Sequence, residues 1–301
     1  SDVCSSDLSA DKGDHTTGNA WLCEHLVTDY VPAWHHPFGP GDWDAAIATT
    51  GLSRWHNYYL EGMAWFIKNV GVDGLYLDGI GYDREIMKRL RKVMDRARPG
   101  CLIDFHCGNH YFPEYGLNNI VNQHLEHLPY IDSLWLGEGF NYDESPEYWL
   151  IELAGIPFGL FGEMLGVGNP WRGMLYGMSN RLPYGGGDPR QLWKVWDEFG
   201  IQSARMRGYW TPACPVQTGR PDVLATTYVK PGKSLIALAS WAKDEARPRL
   251  RIDWATLKLD SQKAVLRAPA IPSFQEAKTF QPADEIPVPP KRGWLLVMEE
   301  K

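Results

Sequence analysis

Between Trp55 and Glu163, helical patterns alternate with short apolar runs, and those runs end in acids. LSRWHNYYLEGMAWFIKNVG places Trp55, Tyr58, Tyr59, Met63, Phe66 and Ile67 at three- and four-residue steps, with Ser53 positioned to cap and Gly71 to stop. That spacing predicts an amphipathic helix. VDGLYLDG follows as an apolar strand ending in Asp78, then the helical DREIMKRLRKVMDRAR, closed by Pro99-Gly100. CLIDFH, the stretch through NNIVNQHLEHL, then YIDSLWLGEG, SPEYWLIELAG and PFGLFGEM continue the alternation. Strands separated by helices pair in parallel through right-handed crossovers.

At Pro221 the pattern changes. VLATTYV, KSLIALASWA, RLRIDW, AVLRAPAI, AKTF and GWLLVMEE read as short strands joined by turns, with no helix among them, which predicts a small antiparallel β-sandwich. The expected fold is an α/β (β/α)8 TIM-type barrel over residues 9–218, followed by an antiparallel β-sandwich over 219–301. A complete barrel takes about 250 residues, and only about five strand candidates precede the boundary in TPACPVQTGRPD, so the barrel reads as N-terminally truncated. SDVCSSDL, residues 1–8, resembles an in-frame translated sequencing adapter rather than a leader, which would carry a basic and then an apolar segment. A doubly wound open sheet is the other parallel solution. No Gly-rich phosphate loop follows a strand to support it.

A formal net charge of −7 argues against a nucleic-acid partner. The basic run MKRLRKVMDRAR has helical spacing and reads as a solvated outer face. No apolar run approaches the roughly 18 residues of a membrane helix. The compartment is left open, a periplasmic or secreted location being compatible, and so is the oligomeric state. Of the five Cys, Cys4 falls in the adapter-like stretch, and Cys23, Cys101, Cys107 and Cys214, without a CxxC pair or zinc-like spacing, read as buried thiols. The 14 Trp and 14 Tyr fill cores or form platforms for the C–H faces of sugars.

Catalytic residues of βα barrels sit at the C-terminal ends of strands. Four successive runs end there in carboxylates: Asp78, Asp104 (with His106 and Asn109 beyond it), Glu138 and Glu163. A single strand-end Asp commonly caps a turn; four in succession, three flanked by Gly, suggest a site. Cleaving a glycosidic bond takes one carboxylate as nucleophile or base and one carboxylic acid for the leaving oxygen. Asp78 and Glu138, with one βα unit between them, are the expected catalytic pair for an oligosaccharide or glycoside substrate. Asp104, His106, Asn109, Trp55, His56, Glu163, Trp171 and Arg172 are the expected substrate-binding residues, Trp171-Arg172 as a loop platform. No cofactor or metal is expected. A metal held by Asp104, His106 and Glu138 is an alternative, as is a catalytically silent carbohydrate-binding barrel.

GVDGLYLDG after an aromatic helix, CLIDFHCGN and the next strand-end acid resemble the retaining α-galactosidase-like glycoside hydrolases. In that superfamily the nucleophile is the Asp ending the fourth barrel strand and the acid/base ends the sixth, so the resemblance implies Asp78 and Glu138 in those roles. The family's acid/base is usually Asp, and its Lys two residues before the nucleophile is Tyr76 here. WLCEHLVTDYVPAWH, GLSRWHNYYLEG, DGLYLDGIGYDREIMKR, IDFHCGN, YIDSLWLGEGF and NPWRGMLYGM resemble bacterial glycoside hydrolase family 123-like proteins more closely. Family 123 enzymes act on N-acetylgalactosaminides by substrate assistance with an adjacent Asp-Glu pair, for which Asp143-Glu144 and Asp197-Glu198 are the candidate dipeptides.

Overall fold

The computed structural model describes residues 31–39, 42–48, 54–78, 84–106, 125–135, 141–164, 168–180, 182 and 188–301, with backbone alone for 31–39, 42–48, 54, 55, 78 and 135. Residues 1–8, Cys23, Cys107, Asn109 and Glu138 lie outside these. Two compact units are present, one of residues 1–140 and 148–162, the other of 141–147 and 163–301.

In the first unit, β1 (Val31–Gly39) and β2 (Asp42–Ala48) pair as an antiparallel ribbon. After them come α1 (Arg54–Val70), β3 (Gly74–Asp78), α2 (Arg84–Ala97), β4 (Leu102–His106) and β5 (Ser133–Trp135). A helical turn α3 (Pro146–Tyr148), of which only Tyr148 belongs to this unit, passes into a π-helical turn Trp149–Leu153, and β6 (Phe161–Gly162) follows. β3, β4, β5 and β6 form a parallel sheet in sequence order. Consecutive βα units give this order, as the alternating sequence predicts.

α1 begins where the sequence predicts it and stops at Gly71, whose φ of 80° is left-handed. Its buried face runs His56, Leu60, Met63 and Ile67, whereas Tyr58 is exposed and Phe66 half-buried. The expected apolar stripe was therefore out of phase by one residue at its start, where a run of bulky aromatics masks the period. α2 buries Ile86, Met87, Leu90 and Met94 and exposes Arg84, Lys92 and Arg96. These side chains, with Leu77, Ile103, Phe105 and Leu134 from the strands, form a core in which each buried group contributes about 1.5–3 kcal/mol. PFGLFGEM departs from the expected strand: Ile156–Phe158 is a 3-10 turn, Phe161–Gly162 pairs with β5, and Met164 makes an isolated parallel bridge to Asn180. Gly162 lies so close to the backbone of Leu153 and Ala154 that a Cβ would collide with it.

The N-terminal edge of this sheet is held by charge. Arg91 on α2 donates to Asp132 at 2.7 Å, to Asp95 at 2.7 Å and to the Cys101 carbonyl, and Asp132 also accepts from the Ile103 amide at 2.7 Å. The starts of β4 and β5 are thereby tied to one helix.

The second unit contains α4 (Pro170–Met174), α5 (Arg190–Phe199), β7 (Arg205–Arg207), β8 (Val216–Gln217), β9 (Val223–Lys230) and β10 (Lys233–Ser240). β11 (Arg251–Ile252), α6 (Trp254–Leu257), β12 (Ala264–Ala268), β13 (Lys278–Phe280) and β14 (Gly293–Glu300) complete it. Six strands form an antiparallel sheet in the order β13-β12-β14-β10-β9-β7, and β8 pairs with β11. One face, with Val223, Ala225, Ile236, Leu238, Leu266 and Leu296, packs against Val216, Leu250 and Leu257. On the other face the Tyr228 hydroxyl donates to the Met174 carbonyl at 2.6 Å, where α4 covers the sheet. β10 is consequently buried on both sides from Ser234 to Ser240, which is why KSLIALAS reads as an unbroken apolar run. One helix was missed here, α6, whose N-cap is Asp253 accepting from the Thr256 amide; RLRIDW contributes strand only at Arg251–Ile252. Cys101 and Cys214 are buried free thiols.

Candidate active site

Parallel pairing sets the four strand ends side by side. Tyr76, Asp104, Ser133 and Phe161 are register partners across the sheet, and one step later Asp78 pairs with His106 and His106 with Trp135. Because side chains alternate along a strand, LYLD and IDFH divide into an apolar set and a polar set. Leu77, Phe105 and Leu134 form the buried row, and Tyr76, Asp104 and Ser133 occupy the opposite face. The backbone of Asp78 ends β3 in the row of His106.

On this face Ser133 Oγ donates to Asp104 Oδ1 at 2.8 Å, joining β4 to β5. The His106 ring, 5% exposed, lies parallel to Tyr76 with centroids 6.1 Å apart and an interplanar angle of 16°. Tyr76 stands where the resemblance would put a Lys, and its place two residues before Asp78 puts it on the same face. Behind β4, Phe105 packs on the buried His127 at 5.7 Å. Of the other expected residues, His56 is fully buried with Leu60 and Met63, Trp55 is the second residue of α1, and half-buried Glu163 is the residue after β6. Asn109 and Glu138 fall outside the described residues.

Trp171 and Arg172 lie in α4 rather than on a loop. Asn169 caps this helix by accepting from the Arg172 amide at 3.0 Å, and Pro170 opens it. The Arg172 guanidinium, 3% exposed, donates to the carbonyls of Tyr142 at 2.6 Å and Ser240 at 3.3 Å and to Asp143 at 3.3 Å, and stacks over Trp241 at 4.6 Å. Burial pulls its pKa down against the opposing pull of Asp143. Asp143 also accepts from Lys291 at 2.6 Å, and that bond, then the charges of Lys291 and Arg172, hold its carboxyl below the usual range. Glu144 is exposed and accepts from Asn141 through its side chain, while its carbonyl accepts from Trp241 Nε1 at 2.8 Å. Asp197 and Glu198 are exposed on α5. The arrangement commits Arg172 and Asp143 to holding residues 141–147 against α4 and β10.

Tyrosine and tryptophan fill space nearby in the same unit. Tyr176 and Tyr209 share a 2.9 Å hydroxyl contact and both donate to the Pro146 carbonyl, while Trp210 stacks on Tyr176 at 5.7 Å. Burial pushes the Tyr209 hydroxyl up to about 12 and Tyr176 beyond it. No group of three or more metal-ligating side chains occurs among the described residues, and no helix there is long and apolar enough to cross a membrane.

Among solved structures, the chain is similar to a GH27 β-L-arabinopyranosidase from Geobacillus stearothermophilus, with TM-score 0.48, 13% identity and coverage of 82% of this chain and 62% of that one. It is also similar to an α-amylase from Geobacillus thermoleovorans, with TM-score 0.48, 10% identity and coverage of 89% and 72%. An Anoxybacillus α-amylase gives 0.49, 10%, 82% and 63%. The chain thus spans less than two thirds of the arabinopyranosidase. No curated protein matches the sequence. Residues 7–183 match the profile of the glycoside hydrolase 123 TIM-barrel domain, and residues 188–299 that of the glycoside hydrolase 123 C-terminal domain. The fold is accordingly a TIM-barrel domain followed by a C-terminal domain with a six-stranded antiparallel sheet, and the chain belongs to glycoside hydrolase family 123.

Proposed function

We propose that the protein hydrolyses glycosidic bonds with retention of configuration, Asp78 acting as nucleophile and Glu138 as acid/base. The observation that carries this reading is the register of Asp78 with His106 at the shared C-terminal edge of β3 and β4, one step beyond Tyr76 and Asp104. In a βα barrel that edge carries the chemistry. Glu138 follows β5 by three residues, and β5 is two strands from β3. Neighbouring strands are about 4.8 Å apart, so β3 and β5 run about 10 Å apart, and retention calls for two carboxyl groups roughly 5–5.5 Å apart.

An Asp78 carboxylate oxygen attacks the anomeric carbon as the bond to the leaving oxygen breaks and Glu138 protonates that oxygen. Water then attacks the same carbon, Glu138 takes its proton, and the Asp78 ester is released. Asp104, His106, Asn109 and Trp55 are assigned to substrate hydroxyls and to shaping the site; His56, fully buried in the core face of α1, is left with a packing role. Substrate assistance by Asp143-Glu144 is less well supported, because the Asp143 carboxylate is already bound by Lys291 and Arg172.

The test is Asp78→Gly with azide as external nucleophile. Turnover should fall with the fold intact, and azide should restore it as a glycosyl azide of inverted anomeric configuration. Wild-type turnover in Asp78→Gly or Asp78→Asn would overturn the assignment.

A further inference from the structure

The second unit contains a cleft of about 670 Å³, within the range of small-ligand sites. Its walls are the half-buried rings of Trp171 on α4, Phe274 and Trp294 on β14; Ser273, Glu276 and Arg292 also line it. None of these residues belongs to the parallel strands.

The cleft is built rather than incidental. Residues 271–275 close on themselves, the Gln275 amide donating to the Ile271 carbonyl at 3.0 Å and the Ile271 amide to the Gln275 carbonyl at 2.9 Å. The Gln275 side chain fastens this loop to β14: Nε2 donates to the Leu295 and Pro269 carbonyls at 2.9 Å, and Oε1 accepts from the Leu295 amide at 2.8 Å. Phe274 is thereby stacked on Trp171 at 4.7 Å and 10°, the Arg292 guanidinium lies 5.2 Å from the same indole, and Trp294 Nε1 is fixed on the Pro287 carbonyl at 2.7 Å. Ser273 (φ 62°) and Lys291 (φ 58°) are two of three non-glycine residues with left-handed backbone among those described, one on each loop of the cleft. Such backbone costs free energy and concentrates where a loop is shaped for binding.

Glu276 and Arg292 are exposed, and neither forms an ion pair among the described residues. A sugar hydroxyl donates to a carboxylate and accepts from a guanidinium, and pyranose C–H faces pack on aromatic rings. A phosphate would meet the Glu276 carboxylate, and a purely apolar ligand would use neither charged group. We infer that this cleft is a second carbohydrate-binding site, taking one or two uncharged sugar residues. The inference rests on membership of a glycoside hydrolase family and not on the assignment of Asp78 and Glu138.

The experiment titrates the whole chain with methyl thioglycosides of galactose, N-acetylgalactosamine and glucose, whose sulfur-linked bond resists hydrolysis. Tryptophan fluorescence and saturation-transfer NMR follow binding. At least one glycoside should bind, and Arg292→Ala and Glu276→Ala should each weaken it by roughly tenfold, the loss expected for a hydrogen bond to a charged group. Both residues are exposed, so melting curves should be unchanged; Phe274→Ala provides a third, uncharged probe of the same wall. Equal affinity in all variants, no binding by any of the glycosides, or concentration-dependent dimerisation lost in Arg292→Ala without sugar binding would each overturn the inference. Failure of the Asp78 assignment appears in turnover and leaves these readouts untouched.

Discussion

Tyr76 and His106 lie ring on ring on neighbouring parallel strands, each two residues or fewer from the end of its strand. The pair supports the row in which Asp78 ends β3, so its loss should disturb the reacting geometry more than the fold. His106→Ala is expected to lower kcat by about 10²-fold, the scale of a small misplacement of reacting groups. Tyr76→Phe, which keeps the ring, should remain within about threefold of wild type. Steady-state kinetics with an aryl glycoside checks both, and equal losses in the two variants would point to the Tyr76 hydroxyl instead.

At the opposite edge of the sheet, Asp132 accepts from both Arg91 and the Ile103 amide. Asp132→Ala leaves a mostly buried guanidinium and a strand amide short of an acceptor, which should cost about 2 kcal/mol. The denaturant midpoint should fall while the turnover of the folded fraction stays constant. A change in KM would show that the N-terminal edge reaches the substrate.

Arg172 and Asp143 separate a structural from a catalytic role. Arg172→Met strands the carbonyls of Tyr142 and Ser240 and leaves Asp143 with Lys291 alone, for an expected loss of about 3 kcal/mol. Asp143 is about half exposed, so Asp143→Asn should cost under about 1 kcal/mol at neutral pH. Because the folded carboxyl is depressed by Lys291 and Arg172, its contribution is present above the ordinary Asp range and is lost as pH falls through the lower folded pKa. Asp143→Asn should flatten that acid limb of stability and leave kcat near wild type. A large fall in kcat would instead support the adjacent-acid reading.

The parallel strands were legible because short apolar runs alternate with helical patterns, and β9, β10, β12, β13 and β14 because turn residues bracket β-rich runs; Asp104 lies in the middle of β4 rather than at its end. The buried stripe of α1 was less legible: Trp55, Tyr58 and Tyr59 satisfy more than one phase, and packing selects His56 and Leu60. Nothing local reveals that Asp143 meets Lys291, 148 residues away, or that Trp171 stacks on Phe274. Those contacts depend on the folded second unit. For the same reason Trp171-Arg172 looked like one platform, whereas the structure turns Arg172 inward and Trp171 toward the cleft.

Tyr209 provides a test at alkaline pH. Its hydroxyl is hydrogen-bonded to Tyr176 and to the Pro146 carbonyl, and burial raises its pKa from 10.0 to about 12. Between those values the unfolded chain has released this proton and the folded chain retains it. Unfolding therefore becomes easier as pH rises: the contribution is complete below the unfolded value and declines through the folded one. Tyr176, raised further by burial, acts in the same direction. Tyr209→Phe should cost about 1 kcal/mol at neutral pH through the lost hydrogen bonds, yet its stability should decline less steeply above pH 10.0. Melting temperature against pH, read beside tyrosinate absorbance, gives both quantities. Parallel curves for variant and wild type would show that this hydroxyl titrates as freely in the folded protein as in the unfolded chain.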